Sequence, residues 1–358
     1  MGATANLTND IAANATVTID TTSRTLGVLN IGDTNGTHRF TVTSSGGGTL
    51  TFDNSLSNAQ LNITSSSGSA GAALSGPLLM AGSLDLSNAS TGGLTFNSGA
   101  TISASSAGTK TILNKGSGSG STTIGSIISN GSGTVAVIQN STTSNLTLTG
   151  VNTYTGSTTV AAGTLAIGPS GSIANTSSIA VSSGATFSNN LTSGVVRVAL
   201  GLTEGATLSS SSSAVNDFIN DKGLTVTASL SDGFNTIALD SLLKAGNSGS
   251  DANKGKLTFL LSSITPGTYT NIFSGLPTGL FASVSVASTA LSGTGGNTWS
   301  GSDVSFAYTF TDSATTAGSM SLVISAIPEP SAYAALAGMA ACAVALRRRR
   351  GRSLPYIN

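Results

Sequence analysis

The sequence predicts an all-β chain: a parallel β-solenoid, a β-rich region capping its C-terminal end, and a single C-terminal hydrophobic helix. Three observations carry this expectation. Short apolar runs that alternate with small polar residues recur along most of the chain, separated by glycine, serine and asparagine. The composition is 39% hydrophobic but only 8% charged and 5% aromatic, with 45 glycines in 358 residues. Disorder at such low charge would also call for low hydrophobicity. A solenoid instead uses slim aliphatics inside and Ser, Thr and Asn outside. Third, Leu146–Ile173 reads as three strand-like pieces, 146–149, 157–160 and 164–167, joined by glycine-bearing corners. Three strands and three corners make one coil, and one coil must stack on others to bury its Leu, Val and Ile.

Taken in order, residues 1–190 read as solenoid. The opening MGATANLTND has neither the positive nor the apolar region of a secretory leader, so a leader is expected upstream. Candidate strands follow at 15–19, 26–31, 39–43, 49–52, 60–64, 83–86, 94–96, 100–103, 109–113 and 133–138. Their spacing also suits a sandwich or barrel; the continuation into 146–173, and then 179–181 and 185–187, favours coils. The Ser/Gly tracts 65–71 and 116–121 read as loops bulging from corners.

Residues 191–326 read as the end of the solenoid plus a cap, because a bare last coil leaves open strand edges. Short helices are expected at 215–220 and 237–245. Strands are expected at 257–261, 269–273 and 282–286, with clean alternation at 304–310 and 320–324. The tail, 327–350, combines Pro328-Glu329-Pro330, an apolar run at 331–346 and Arg347, Arg348, Arg349 and Arg350; residues 351–358 extend beyond it. Sixteen helical residues span about 24 Å, short for a bilayer core of about 30 Å, though arginine snorkels. The arginines would hold that end in the cytoplasm and leave the body on the other side.

Two resemblances rest on these stretches. Leu146, Leu148, Thr149, Gly150, Asn152, Tyr154, Gly156, Thr158, Val160, Gly163, Leu165 and Gly168 fit the pattern of the autotransporter-associated β-strand repeat. That resemblance implies a right-handed parallel β-helix displayed at or beyond the bacterial cell surface. The tail resembles the PEP-CTERM sorting signal, although Gly351–Asn358 is a longer extension than the signal usually carries. That resemblance implies an exported protein held at the inner membrane until an exosortase-type membrane transpeptidase processes it near Pro328-Glu329-Pro330. The usual setting is a Gram-negative cell making exopolysaccharide or biofilm.

Chemistry-bearing residues are sparse. Lys+Arg and Asp+Glu number 14 each, and five of the basic residues lie at Arg347–Arg350 and Arg352. The body is mildly acidic with no basic groove, which argues against nucleic acid as a partner. His38 is the only histidine and Cys342 the only cysteine. Neither a Ser-His-Asp or Cys-His arrangement nor a typical zinc site can be assembled, so no catalytic residue, cofactor or metal is assigned. Asp20, Asp33, Asp53 and Asp85, or Asp217 with Asp221, would have to stack on neighbouring coils to serve an enzyme. Gly46-Gly47-Gly48 leads to Asp53 at the wrong distance for a calcium-binding repeat. Asn145, Asn152, Asn175, Asn189 and Asn190 suit either internal ladders or corners.

The expected function is therefore non-enzymatic: an exported surface or extracellular-matrix structural or adhesive protein, sorted by exosortase, with exopolysaccharide as a candidate partner. The alternative is a parallel β-helix lyase or hydrolase acting on exopolysaccharide. A conventional autotransporter passenger would be expected to continue into an outer-membrane barrel.

Overall fold

In the computed structural model, the described residues are 2–64, 68–192, 196, 198–210, 222–230, 233–239, 255–275, 279, 281–312, 320–328 and 338–344. They form a parallel β-solenoid of about 10 turns. The first coil shows the plan. Thr4–Leu7 lies on one face, Ala15–Ile19 on a second and Arg24–Leu26 on a third. The next coil repeats it with Val28–Ile31, Phe40–Ser44 and Leu50–Phe52, each paired in parallel with its counterpart. Residues 26–31, expected as one strand, turn a corner at Gly27 and serve two faces.

The third face holds five strands and ends at Ile127–Gly131. Beyond it the coils keep two faces, with a lone bridge between Val151 and Ser172 on the way round. Coil length falls accordingly. Thr122 lies beside Leu146, but Leu146 lies beside Leu165, only 19 residues on.

This corrects the reading of 146–173 as a single coil. Leu146–Leu148 and Thr164–Ile167 are neighbours on the second face, and Thr158–Ala162 between them lies on the first. The repeat is one coil plus the first strand of the next. Sequence alternation alone could not reveal this, because both faces present the same inward Leu, Val and Ile.

Alternation dictates what lies inside. Along the first face an unbroken inward column runs Leu29, Leu61, Leu86, Asn114, Gln139, Val160, Val181, Leu202, Val226, Phe259 and Val286. All of these are buried. Each aliphatic among them is worth roughly 1.5–3 kcal/mol of burial, and each is covered only because the coils above and below supply its neighbours.

Ile237–Leu239 is a strand of the second face, paired with Thr207-Leu208 and Phe273-Ser274. The helix expected at 237–245 is therefore wrong at its start. Ile237, buried beside Leu239, follows the period of two rather than the helical one. The rest of that segment, and the helix expected at 215–220, lie outside the described residues.

Parallel pairing ends at Phe281–Val286. The chain then reverses through Ala287, at positive φ, into an antiparallel meander of Thr289–Gly295, Thr298–Ser302, Phe306–Asp312 and Met320–Ala326. The last strand returns to pair with Gly267–Tyr269. Phe310, fully buried, touches Phe259 at 5.6 Å, Trp299 at 5.8 Å and Phe281 at 6.0 Å between ring centres. Aromatics close this end because a solenoid interior made for aliphatics needs bulk to fill its last layer.

Truncating Phe310→Ala should loosen this cap and cost about 3–5 kcal/mol. Trp299, the one tryptophan of the chain, sits in the cap. Its fluorescence should therefore shift at lower urea than the far-UV signal of the coils.

Candidate functional site

The repeat is the part of the chain with the most specific sequence, and its residues build a corner. Asn152 is buried between the second and first faces. Its Oδ1 accepts from the Ile128 N–H at 2.9 Å and its Nδ2 donates to the Gly150 carbonyl at 2.9 Å. Ile128 belongs to the last strand of the third face. The Asn152 side chain thus satisfies an amide that would otherwise need another strand beside it.

Tyr154 follows, fully buried, its hydroxyl 2.6 Å from Thr158 Oγ1. Thr158 lies 3.0 Å from Thr176 Oγ1, and Thr176 donates to the Gly156 carbonyl at 2.6 Å. Burial pushes the Tyr154 phenol far up, more than the two threonine hydroxyls lower it, so it stays protonated. This is a structural relay: all three hydroxyls are enclosed. Gly163 makes the turn at φ +64, and a Cβ there would stand 1.9 Å from the Ser141 carbonyl oxygen. At Gly156 the coil below also approaches too closely for a side chain, with the Val135 carbonyl 2.3 Å from a notional Cβ.

A second polar cluster lies at the corner of the preceding coils. Asn114 Nδ2 donates to Gln139 Oε1 at 2.6 Å and to the Ser144 carbonyl at 2.8 Å, while Thr122 donates to Asn114 Oδ1 at 3.0 Å. Asn88, one coil earlier, donates to the carbonyls of Gly92 and Gly120. These internal amides were missed in the sequence. The signal was an Asn or Gln falling on an apolar position of a strand. Of the asparagines singled out, Asn152 and Asn189 are buried, Asn145 and Asn175 are exposed, and Asn190 is intermediate.

The carboxylates do not converge. Asp20 pairs with Arg24 at 3.5 Å in solvent, and Asp53 accepts from the Ser55 N–H in its own turn. Asp85 accepts from Lys115 at 2.6 Å and from Asn58 at 2.8 Å. Asp217 and Asp221 lie outside the described residues. Asp33 is buried in the loop before Phe40, accepting from the backbone N–H groups of Ile11 (3.1 Å), Thr37 (2.9 Å) and His38 (2.9 Å). Burial works to raise its pKa, but those donors and the nearby imidazole outweigh it and hold the carboxyl below its usual value. His38 Nδ1 stands 3.9 Å from Asp33 and 2.8 Å from Thr37 Oγ1, a loop contact. Among the described residues no three His, Cys, Asp or Glu side chains gather as metal ligands would. A cavity at the corner of the second and third faces is lined by Ile19, Val42, Leu50, Leu74 and Leu78 and carries no charged group.

Of the tail at 327–350, Pro328 is exposed just after the last strand; Glu329, Pro330 and Arg347–Arg350 lie outside the described residues. Within 331–346 the described part is 338–344, helical and exposed, including Cys342. Among the described residues no helix is long and apolar enough to cross a membrane.

Residues 143–167 match the family described as passenger-associated-transport-repeat. The match overlaps the stretch that resembles the autotransporter-associated repeat. It sits in a parallel β-solenoid, the setting of an autotransporter-type surface or passenger protein. Such a repeat is characteristic of exported, cell-surface chains and typical of non-enzymatic, adhesin-like passengers. No curated protein and no solved structure matches the chain.

The corner yields two predictions. Gly163→Ala should destabilise by more than the roughly 1–2 kcal/mol of left-handed strain alone, because the Ser141 carbonyl must also move. Gly184→Ala, at φ +71 with open space around it, should show the strain by itself; comparing urea midpoints separates the two. For Asp33 the lowered native pKa means that its stabilisation is present above the unfolded value of about 3.9 and lost as pH falls through the native one. Protection factors of the Ile11, Thr37 and His38 amides, referred to the intrinsic exchange rate at each pH, should fall on acidification, and Asp33→Asn should lower them already at neutral pH.

Proposed function

We propose that this chain is a non-enzymatic structural or adhesive protein of the cell surface or extracellular matrix, delivered through a PEP-CTERM signal. The observation that carries the surface reading is the passenger-type repeat at 143–167, which continues in register with the coils on either side. Each specific residue of that repeat serves the corner: Asn152 caps an amide, Tyr154 fills and locks the interior, and Gly156 and Gly163 admit the coil below. A motif whose most specific side chains, Asn152 and Tyr154, are consumed by the fold supports a scaffold role.

The sorting reading rests on the order of parts in the tail. Pro328-Glu329-Pro330 would be the recognition point of an exosortase-type transpeptidase. The 331–346 run would be the membrane intermediate, and Arg347–Arg350 would keep the far end in the cytoplasm. Loss of the tail would release a body whose outward amides, such as Asn30, Gln60 and Asn62 on the first face, suit contact with exopolysaccharide.

The test is expression with the native upstream region in an exosortase-bearing host, followed by fractionation and mass spectrometry of the C-terminal peptide. The expected result is a surface or matrix protein lacking Arg347–Arg350. Intact chain ending at Asn358 in the inner membrane, with exosortase present, would overturn the sorting and matrix reading.

A further inference from the structure

The second face of the solenoid differs from the first in one respect. Every side chain that its strands turn outward is threonine, serine or alanine, and none of its 11 strands contains Asp, Glu, Lys or Arg. The first face, under the same demand for β-formers, carries Asp85, Lys110, Leu113 and Lys256. β-Propensity therefore does not explain the restriction.

The hydroxyls stand in ranks. Thr16, Thr41, Ala73, Thr95, Thr123 and Thr147 lie each directly beside the next, coil upon coil; the row of hydroxyls is broken once, at Ala73, which is 1% exposed. A second, shorter rank beside them holds Thr18, Thr43 and Ser75, with Thr43 donating to the Ser75 carbonyl and Ser75 Oγ accepting from Asn97. Strand geometry sets the grid: about 4.7–4.9 Å between coils and about 6.6–6.8 Å between alternate residues of one strand. The hydroxyls of Thr41, Thr95, Thr123 and Thr147 make no hydrogen bond to other described residues. Threonine is stiff at χ1, so the array is held in place without further ordering cost.

We propose that this face adsorbs to ice. One hydroxyl gains nothing from ice that liquid water does not offer, because the exchange of hydrogen bonds is nearly even. Only a rigid, repeating array can tell a lattice of water oxygens from the liquid, and the oxygen rows of ice repeat at an interval close to the strand spacing. A charged side chain would keep its own hydration shell between protein and lattice; these strands turn none outward, which matches an uncharged partner, and the exposed Arg39 stands at the corner just before Phe40. A long side chain would break the plane; within the strands none is turned outward. A glycan-binding face would present aromatic planes or planar amides, and these strands turn none outward.

The test uses the full chain, fluorescently labelled, with slowly growing polycrystalline ice as the probe. Wild type should be concentrated in the ice. Thr95→Lys with Thr123→Lys should be excluded into the liquid, while Thr159→Lys on the first face should behave as wild type, all with unchanged circular dichroism. Should the lysine pair unfold, Thr95→Gln with Thr123→Gln breaks the plane without charge, and its exclusion supports the proposal equally. Exclusion of the wild type overturns it, as does equal behaviour of the two faces. Retention on a neutral glucan, or dimers in sedimentation that the same substitutions dissolve, would in that event give the face to a polysaccharide or to a second copy.

Discussion

Register between coils is the constraint on which this structure depends. A parallel strand in a solenoid borrows its hydrogen bonds and half of its side-chain contacts from the strands above and below. A residue on an inward position must therefore suit its own coil and two others. The column from Leu29 to Val286 obeys this through every level of the first face. A slip of one residue anywhere would turn an entire strand inside out. Glycine at corners such as Gly156 and Gly163 follows from the same constraint, because backbones one coil apart come within contact there and leave no room for a Cβ.

Where the column admits polar residues, the interior is organised to hold them. Asn114 and Gln139 occupy inward positions but bond to each other, to Thr122 and to the Ser144 carbonyl. Buried amides are tolerable when their donors and acceptors are matched, and costly otherwise. These residues lie in the coils where the solenoid changes from three faces to two. Asn152 completes the change by taking the Ile128 amide that a further third-face strand would have taken. The repeat motif is thus the device that narrows the coil, with Asn152 and Tyr154 turned inward.

Outward surfaces carry the opportunity for function. The first face mixes charge, amides and half-buried aliphatics; the second is a plane of small hydroxyl and methyl groups. The cap removes the C-terminal strand edges with an antiparallel meander packed by Phe259, Phe281, Trp299 and Phe310. Growth by stacking at that end is thereby blocked.

The sequence by itself determined the class of fold. Period-two runs such as Ala15–Ile19, Leu94–Phe96 and Thr164–Ile167 are strands as read, and the repeat announced that they stack. It could not decide which face each strand joins, because inward Leu, Val and Ile look alike on all three. Thus Leu146–Leu148 and Thr164–Ile167 were read into one coil, and Ala72–Ser75, Leu78–Met80 and Ile127–Gly131 passed unnoticed between better-patterned neighbours. Ile237–Leu239 was read as the start of a helix because three residues hold too little period to choose. Neighbours 20 to 30 positions away settle these questions. Only the stacked coils show that Asn88, Asn114 and Gln139 are inside with their bonds made, and that Thr95 and Thr123 share one rank. Local pattern sets which side of a strand is buried; long-range register alone sets what that strand lies beside.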